Sequence, residues 1–130
     1  MASRQVRVVA DALRKDASRV VREVAIGLHG RLVEDTPVDT GFAQNNWVPQ
    51  VGSAFEGTAG TRADAEAGRL DRGPAAAGLA EVARYDVSQG DVHVTNNVDY
   101  IEKLNAGSSA QAPAAFVQTD IVRTLEDVAR

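Results

Sequence analysis

Apolar residues at Val6, Val9, Leu13, Ala17, Val20, Val24, Leu28 and Leu32 recur every three or four positions between about Ser3 and Glu34, and this period constrains the fold more than anything else in the chain. Such spacing puts one apolar stripe on one face of an α-helix. At about 1.5 Å per residue the helix runs for roughly 45 Å, longer than the globule the remaining residues can form. Part of it must therefore project or pack against another subunit. Gly27 and Gly30 weaken the helix near its end by roughly 1 kcal/mol each relative to Ala, and mark a bend or a close approach. Pro37 stops it, because the residue before a proline is pushed out of the helical region.

A chain of 130 residues is the size of one domain, so residues 1–130 are expected to fold as a single unit. Aromatic residues make up only 5%, so the core has to be a thin, aliphatic one. The absence of cysteine excludes a disulfide framework and thiolate metal sites, and ties the chain to no oxidising compartment. The basic N-terminal residues are interleaved with a helical apolar period rather than followed by a signal-peptide core. No run approaches the roughly 18 apolar residues of a membrane helix, and no membrane partner is expected.

Charge is uneven along the chain. Met1 to Arg31 holds seven basic residues (Arg4, Arg7, Arg14, Lys15, Arg19, Arg22, Arg31) against three acidic ones, a net +4, which leaves −8 on the rest of a chain whose total is −4. A basic helix on an acidic body suits head-to-tail docking on a copy of itself, an acidic partner or DNA. Arginines flanking an apolar stripe also simply line the edges of an amphipathic helix.

Further along, Asn46 to Gly52 reads as a strand, with Pro49 indicating an edge or bulge. Residues 53–73 are rich in Gly, Ala, Thr and charge without a period, and read as a long flexible loop in which a further strand has room. Pro74 suits the first turn of a helix running through Ala77, Leu79, Val82 and Ala83. Asp91 to Asn96 alternates like a half-buried strand. Asp99 to Asn105 reads as a short helix with Tyr100, Ile101 and Leu104 inward. Pro113 opens a last helix whose apolar side is Phe116, Val117, Ile121, Leu125 and Val128. The order specifies an α+β domain: a long N-terminal helix, a small antiparallel sheet and a C-terminal helix packed on one face.

Two motifs sit where amphipathic segments meet extended ones. In TPVDTGFAQNNW (Thr36 to Trp47), Asp39 and Thr40 can bond backbone N–H groups locally and Gly41 supplies a turn conformation, which makes a stiff corner. Trp47 reads as a core or subunit-contact anchor. In TNNVDYIEKLNAGSSAQAP (Thr95 to Pro113), Asn96 and Asn97 end a strand and can cap the next helix, Tyr100 suits a core boundary, and Gly107, Ser108, Ser109 and Gln111 form a polar loop before Pro113.

Catalytic chemistry finds little to work with. His29 falls on the first helix and His93 on a strand, and neither GxSxG nor HExxH is present. A triad of Ser108 or Ser109 with Asp99 and His93, or an Asp35–Asp39 carboxylate pair, has no supporting pattern. Nucleic-acid binding has only the basic helix behind it. The chain is expected to be neither an enzyme nor a cofactor binder.

Taken together and in this order behind a long leading helix, the two motifs resemble those of the neck and tail-completion proteins of long-tailed bacteriophages, which join heads to tails. The resemblance covers most of the chain. The positions that match are Thr36, Pro37, Asp39, Thr40, Gly41, Trp47, Asn96, Asn97, Tyr100, Leu104, Gly107, Ser109, Gln111 and Pro113. The chain departs from the pattern at Asn105, where the family often has an acidic residue, and at Ala115 and Phe116, where it often has Gly and Met. The resemblance implies a structural virion protein, at the neck or tail end and assembled in the host bacterial cytoplasm. It also implies self-association into a ring, a hexamer being favoured, between head-completion and tail proteins, with DNA passing through without sequence-specific contact. Arg14, Lys15, Arg19 and Arg22 are the expected subunit-interface residues. A tail-terminator or tail-tube-like ring subunit would instead centre on a larger sheet, and a small DNA-binding protein would use the basic helix alone.

Overall fold

The computed structural model of the protein describes residues 4–130, and Ser3, where the helical period begins, lies outside them. Helix α1 runs unbroken from Arg4 to Asp35 over 32 residues. It is followed by β1 (Val48–Val51), α2 (Arg62–Glu66), α3 (Gly73–Ala83), β2 (Val92–Thr95), α4 (Ile101–Asn105) and α5 (Phe116–Val128). The two strands form an antiparallel pair with Val48 opposite Thr95 and Val51 opposite Val92, and α5 packs along α1. This is the expected α+β architecture. The sheet has two strands among the described residues, and the segment read as one loop contains α2 rather than a strand.

Two connected apolar clusters form the core. Leu32, Trp47, Ala112 and Phe116 make one, and Phe42, Ala43, Ala65 and Val98 the other, while Ile101 and Leu104 of α4 touch both. The few aromatic residues are spent economically: Phe42, Trp47, Tyr85 and Phe116 are all buried. Helix α3 packs against β1 through a very close approach at Gly78, where a Cβ would stand 1.8 Å from the Pro49 carbonyl oxygen. A Cβ at Gly27 would make an ordinary 3.4 Å contact with the Thr124 methyl and one at Gly30 would meet nothing within 4 Å, and α1 runs through both without a break.

The inner face of α5 differs from the one the apolar spacing indicates. Ile121 and Leu125 are 39% and 50% exposed, whereas Asp120 and Thr124 are buried against α1. The helix begins at Phe116, not at Pro113, and its start is held from α4. Asn105 Oδ1 accepts from Val117 N at 3.0 Å, and the Asn105 carbonyl accepts from Ala115 N at 2.6 Å. Ala115 itself sits at φ 61, in the left-handed region, where the resembling family often has Gly.

Candidate assembly interface

The two motifs fold into one corner. Thr36 closes α1: its hydroxyl donates to the Leu32 carbonyl and accepts from Trp47 Nε1 at 2.7 Å, so the buried indole is hydrogen-bonded as well as packed. His29 Nε2 donates to the Trp47 carbonyl at 2.9 Å, and burial lowers the histidine's pKa, which keeps the ring neutral. Thr40 Oγ1 accepts from Phe42 N at 3.3 Å, as the turn chemistry requires, while Asp39 stands exposed. Gly41 takes φ 83, with Leu70 Cδ1 3.1 Å from where a Cβ would be, so its identity matters for both strain and space.

The second motif is fastened to the first by side-chain amides. Gln111 makes two bonds to one residue of the corner: Oε1 accepts from Val38 N at 3.0 Å and Nε2 donates to Val38 O at 3.3 Å. Asn96 Nδ2 donates to the Ala43 carbonyl at 2.9 Å, while its Oδ1 accepts from Val98 N at 3.1 Å and shapes the turn into α4. Asn97 Nδ2 reaches the carbonyls of Phe55 and Gly57 at 2.7 and 2.9 Å, and so ties down the segment after β1. Ser109 Oγ accepts from Gln111 N at 3.1 Å. Tyr100 lies against the second core cluster with the Arg62 guanidinium 5.0 Å from its ring centroid. Gly107 takes φ 94 in the loop, and Pro113 is exposed beside buried Ala112. These motif residues hold the corner together; nothing in their arrangement presents a nucleophile and a base to a common point.

One surface with something left to satisfy is the first half of α1. From Arg4 to Ala17 every residue is exposed, and Val9 and Leu13 are 58% and 65% exposed. The body begins at Ser18, which is buried; its hydroxyl donates to Arg14 O at 2.8 Å and accepts from Val87 N at 2.9 Å. The expected interface cations divide accordingly. Arg14 and Lys15 lie on the projecting half, Arg14 loosely paired with Asp11 at 3.8 Å. Arg19 bridges Asp16 and Glu23 along the helix. Arg22 turns inward and donates to the Tyr85 carbonyl at 2.7 Å, fixing α1 to the segment after α3.

Several structural residues gave no signal in sequence. Asn46 reads as part of a strand, yet it is buried in a 3-10 turn where it accepts from Ala59 N at 2.7 Å and donates to Phe42 O at 2.8 Å. Asp120 is 1% exposed, and its Oδ2 has no hydrogen-bond partner. Burial, and then the proximity of Asp35, push the Asp120 carboxyl up to about 7, against the opposing pull of Arg123 and Arg31.

Among the described residues no group of three His, Asp or Glu is arranged to hold a metal ion, and no helix is long and apolar enough to cross a membrane. Comparison of the chain with family models, curated proteins and solved structures gives no match.

Proposed function

We propose that the chain is a structural, non-enzymatic subunit of a tailed bacteriophage or phage-derived particle, one that joins head and tail or completes the tail end as part of a homo-oligomeric ring around the DNA channel. The observation that carries this reading is the projecting half of α1, an amphipathic helix whose stripe leaves Val9 and Leu13 more than half exposed. Exposed, aligned apolar side chains of this kind mark an interaction surface. Supporting it, the two motifs that resemble those of the neck proteins lie together in one hydrogen-bonded corner at the C-terminal end of α1. A heterologous contact between identical copies closes into a ring when its rotation allows.

The two-stranded sheet favours the neck or tail-completion reading over a tail-tube-like subunit, which would centre on a larger sheet. DNA in this reading runs through the ring. The small DNA-binding reading predicts instead retention on DNA that weakens with salt. Light scattering of the purified protein followed by negative-stain microscopy tests the proposal, with closed rings carrying a central hole as the expected result. Incubation with tailless heads and free tails then reads joining directly. Reversing charge at Arg14, Lys15 and Arg19 to Glu is expected to weaken assembly, and normal rings at ordinary salt in that variant would remove the helix from the interface.

A further inference from the structure

We infer that the projecting half of α1 seats in the groove between α1 and β2 of a second copy of this chain. The inference deepens the ring proposal and rests on it only for the closed symmetry, not for the seat itself. The groove has a volume of about 560 Å³ and is walled on one side by Val20, Val24 and Leu28 of α1 and on the other by Tyr85, Val92 and Val94. Its lining is mostly aliphatic, and it opens on the same face of α1 that carries Val9, Leu13 and Ala17 farther out. Each copy therefore owns an uncovered apolar stripe and an open apolar slot.

The two cannot meet within one chain. Stripe and slot wall belong to one unbroken helix from Arg4 to Asp35, so the stripe can enter its own slot only if that helix breaks. A second copy has no such restriction. Charge selects the same occupant. Arg4 to Ala17 carries four basic residues against two acidic ones, a net +2, which leaves −6 on the remainder of a chain of net −4. Pairing two projecting halves brings like charges together, whereas seating one on an acidic body, with Asp91 lining the groove, brings opposite ones together.

The chain contains no cysteine, so disulfide mapping is clean. The experiment is oxidative cross-linking of the full chain carrying Val9→Cys and Val92→Cys, alongside each single variant. Val9 is 58% exposed, so its substitution leaves the fold intact, and circular dichroism melting verifies this for both. The expected result is covalent oligomers from the double variant and covalent dimers from a mixture of the two singles, with neither single forming cross-linked products alone. Cross-linking of Val9→Cys by itself would overturn the seat in favour of stripe-to-stripe pairing, and so would rings or larger species that yield no cross-link at these positions, or a strict monomer. Product size separates the two proposals. A ladder climbing beyond the dimer supports a ring, while products that stop at a reciprocal dimer keep the seat and overturn the ring.

Discussion

Leu28 and Leu32 of α1 close over Trp47 and Phe116, whereas Val9 and Leu13, which continue the same stripe toward the N-terminus, are more than half exposed. Sequence periodicity is helical in both halves. What differs is what lies opposite: the body reaches along the helix only as far as Ser18, where the segment around Val87 ends it. The same helical pattern thus serves folding in one half and, in the proposed reading, association in the other. Amphipathic patterning alone tells that a face must be covered, not by which chain.

Substitutions of like chemistry in the two halves should therefore separate stability from assembly. Leu32→Ala empties a site in the first core cluster and is expected to cost about 2–5 kcal/mol in urea or thermal unfolding. Gly78→Ala tests the body from another side. Its Cβ would fall 1.8 Å from the Pro49 carbonyl oxygen, so α3 must move off β1, at about 3 kcal/mol or more. If either variant unfolds like the parent, the division between a packed body and a projecting arm is wrong.

The α1–α5 contact adds a pH dependence that belongs to the body half alone. The carboxyl of Asp120 is raised to about 7 in the folded chain, from about 4 when unfolded, so between those values the folded state holds the extra proton. Stability contributed by this group is greatest below about pH 4, falls as pH rises toward 7 by at most about 1.4 kcal/mol per pH unit, and is flat above. Melting temperatures between pH 5 and pH 8 should fall accordingly, and Asp120→Asn should remove that slope. An unchanged slope in the variant would show that the Asp120 carboxyl is not its source.

A smaller effect is expected at Ala115. Its φ of 61 is strained for any residue with a Cβ, so Ala115→Gly should stabilise the chain by about 1 kcal/mol in denaturant titration. Smallest of all is Leu13→Ala, which should change the monomer's unfolding free energy by less than about 0.5 kcal/mol, because the side chain is 65% exposed. Its effect should fall on assembly instead.

Elements with local causes were legible in the chain. The α1 period and Pro37 locate the first helix to within a residue of its end, the Val92/Val94 alternation locates β2, and Thr40 and Gly41 make the corner their chemistry requires. Trp47 proved to be a core anchor, and its bond to Thr36 explains why both belong to one motif. The remainder depends on partners distant in sequence. Nothing near Gly78 announces that the Pro49 backbone lies against it, and nothing near Asp120 announces Asp35. The apolar spacing of α5 points Ile121 and Leu125 inward, yet both lie at the surface. The candidate interface was legible as excess helix length and uneven charge, but the slot beside β2 exists only once α1, the Tyr85 segment and the sheet are assembled.

The central claim is that the first half of α1 associates and does not fold the chain. Light scattering of the parent protein and of Leu13→Asp at matched concentration, with unfolding curves for both, tests it most directly. The account predicts a large closed assembly for the parent, loss of that mass in the variant, and the same melting transition for the dissociated subunit. A variant that assembles as the parent does, or one that loses its folded structure along with its mass, would contradict it.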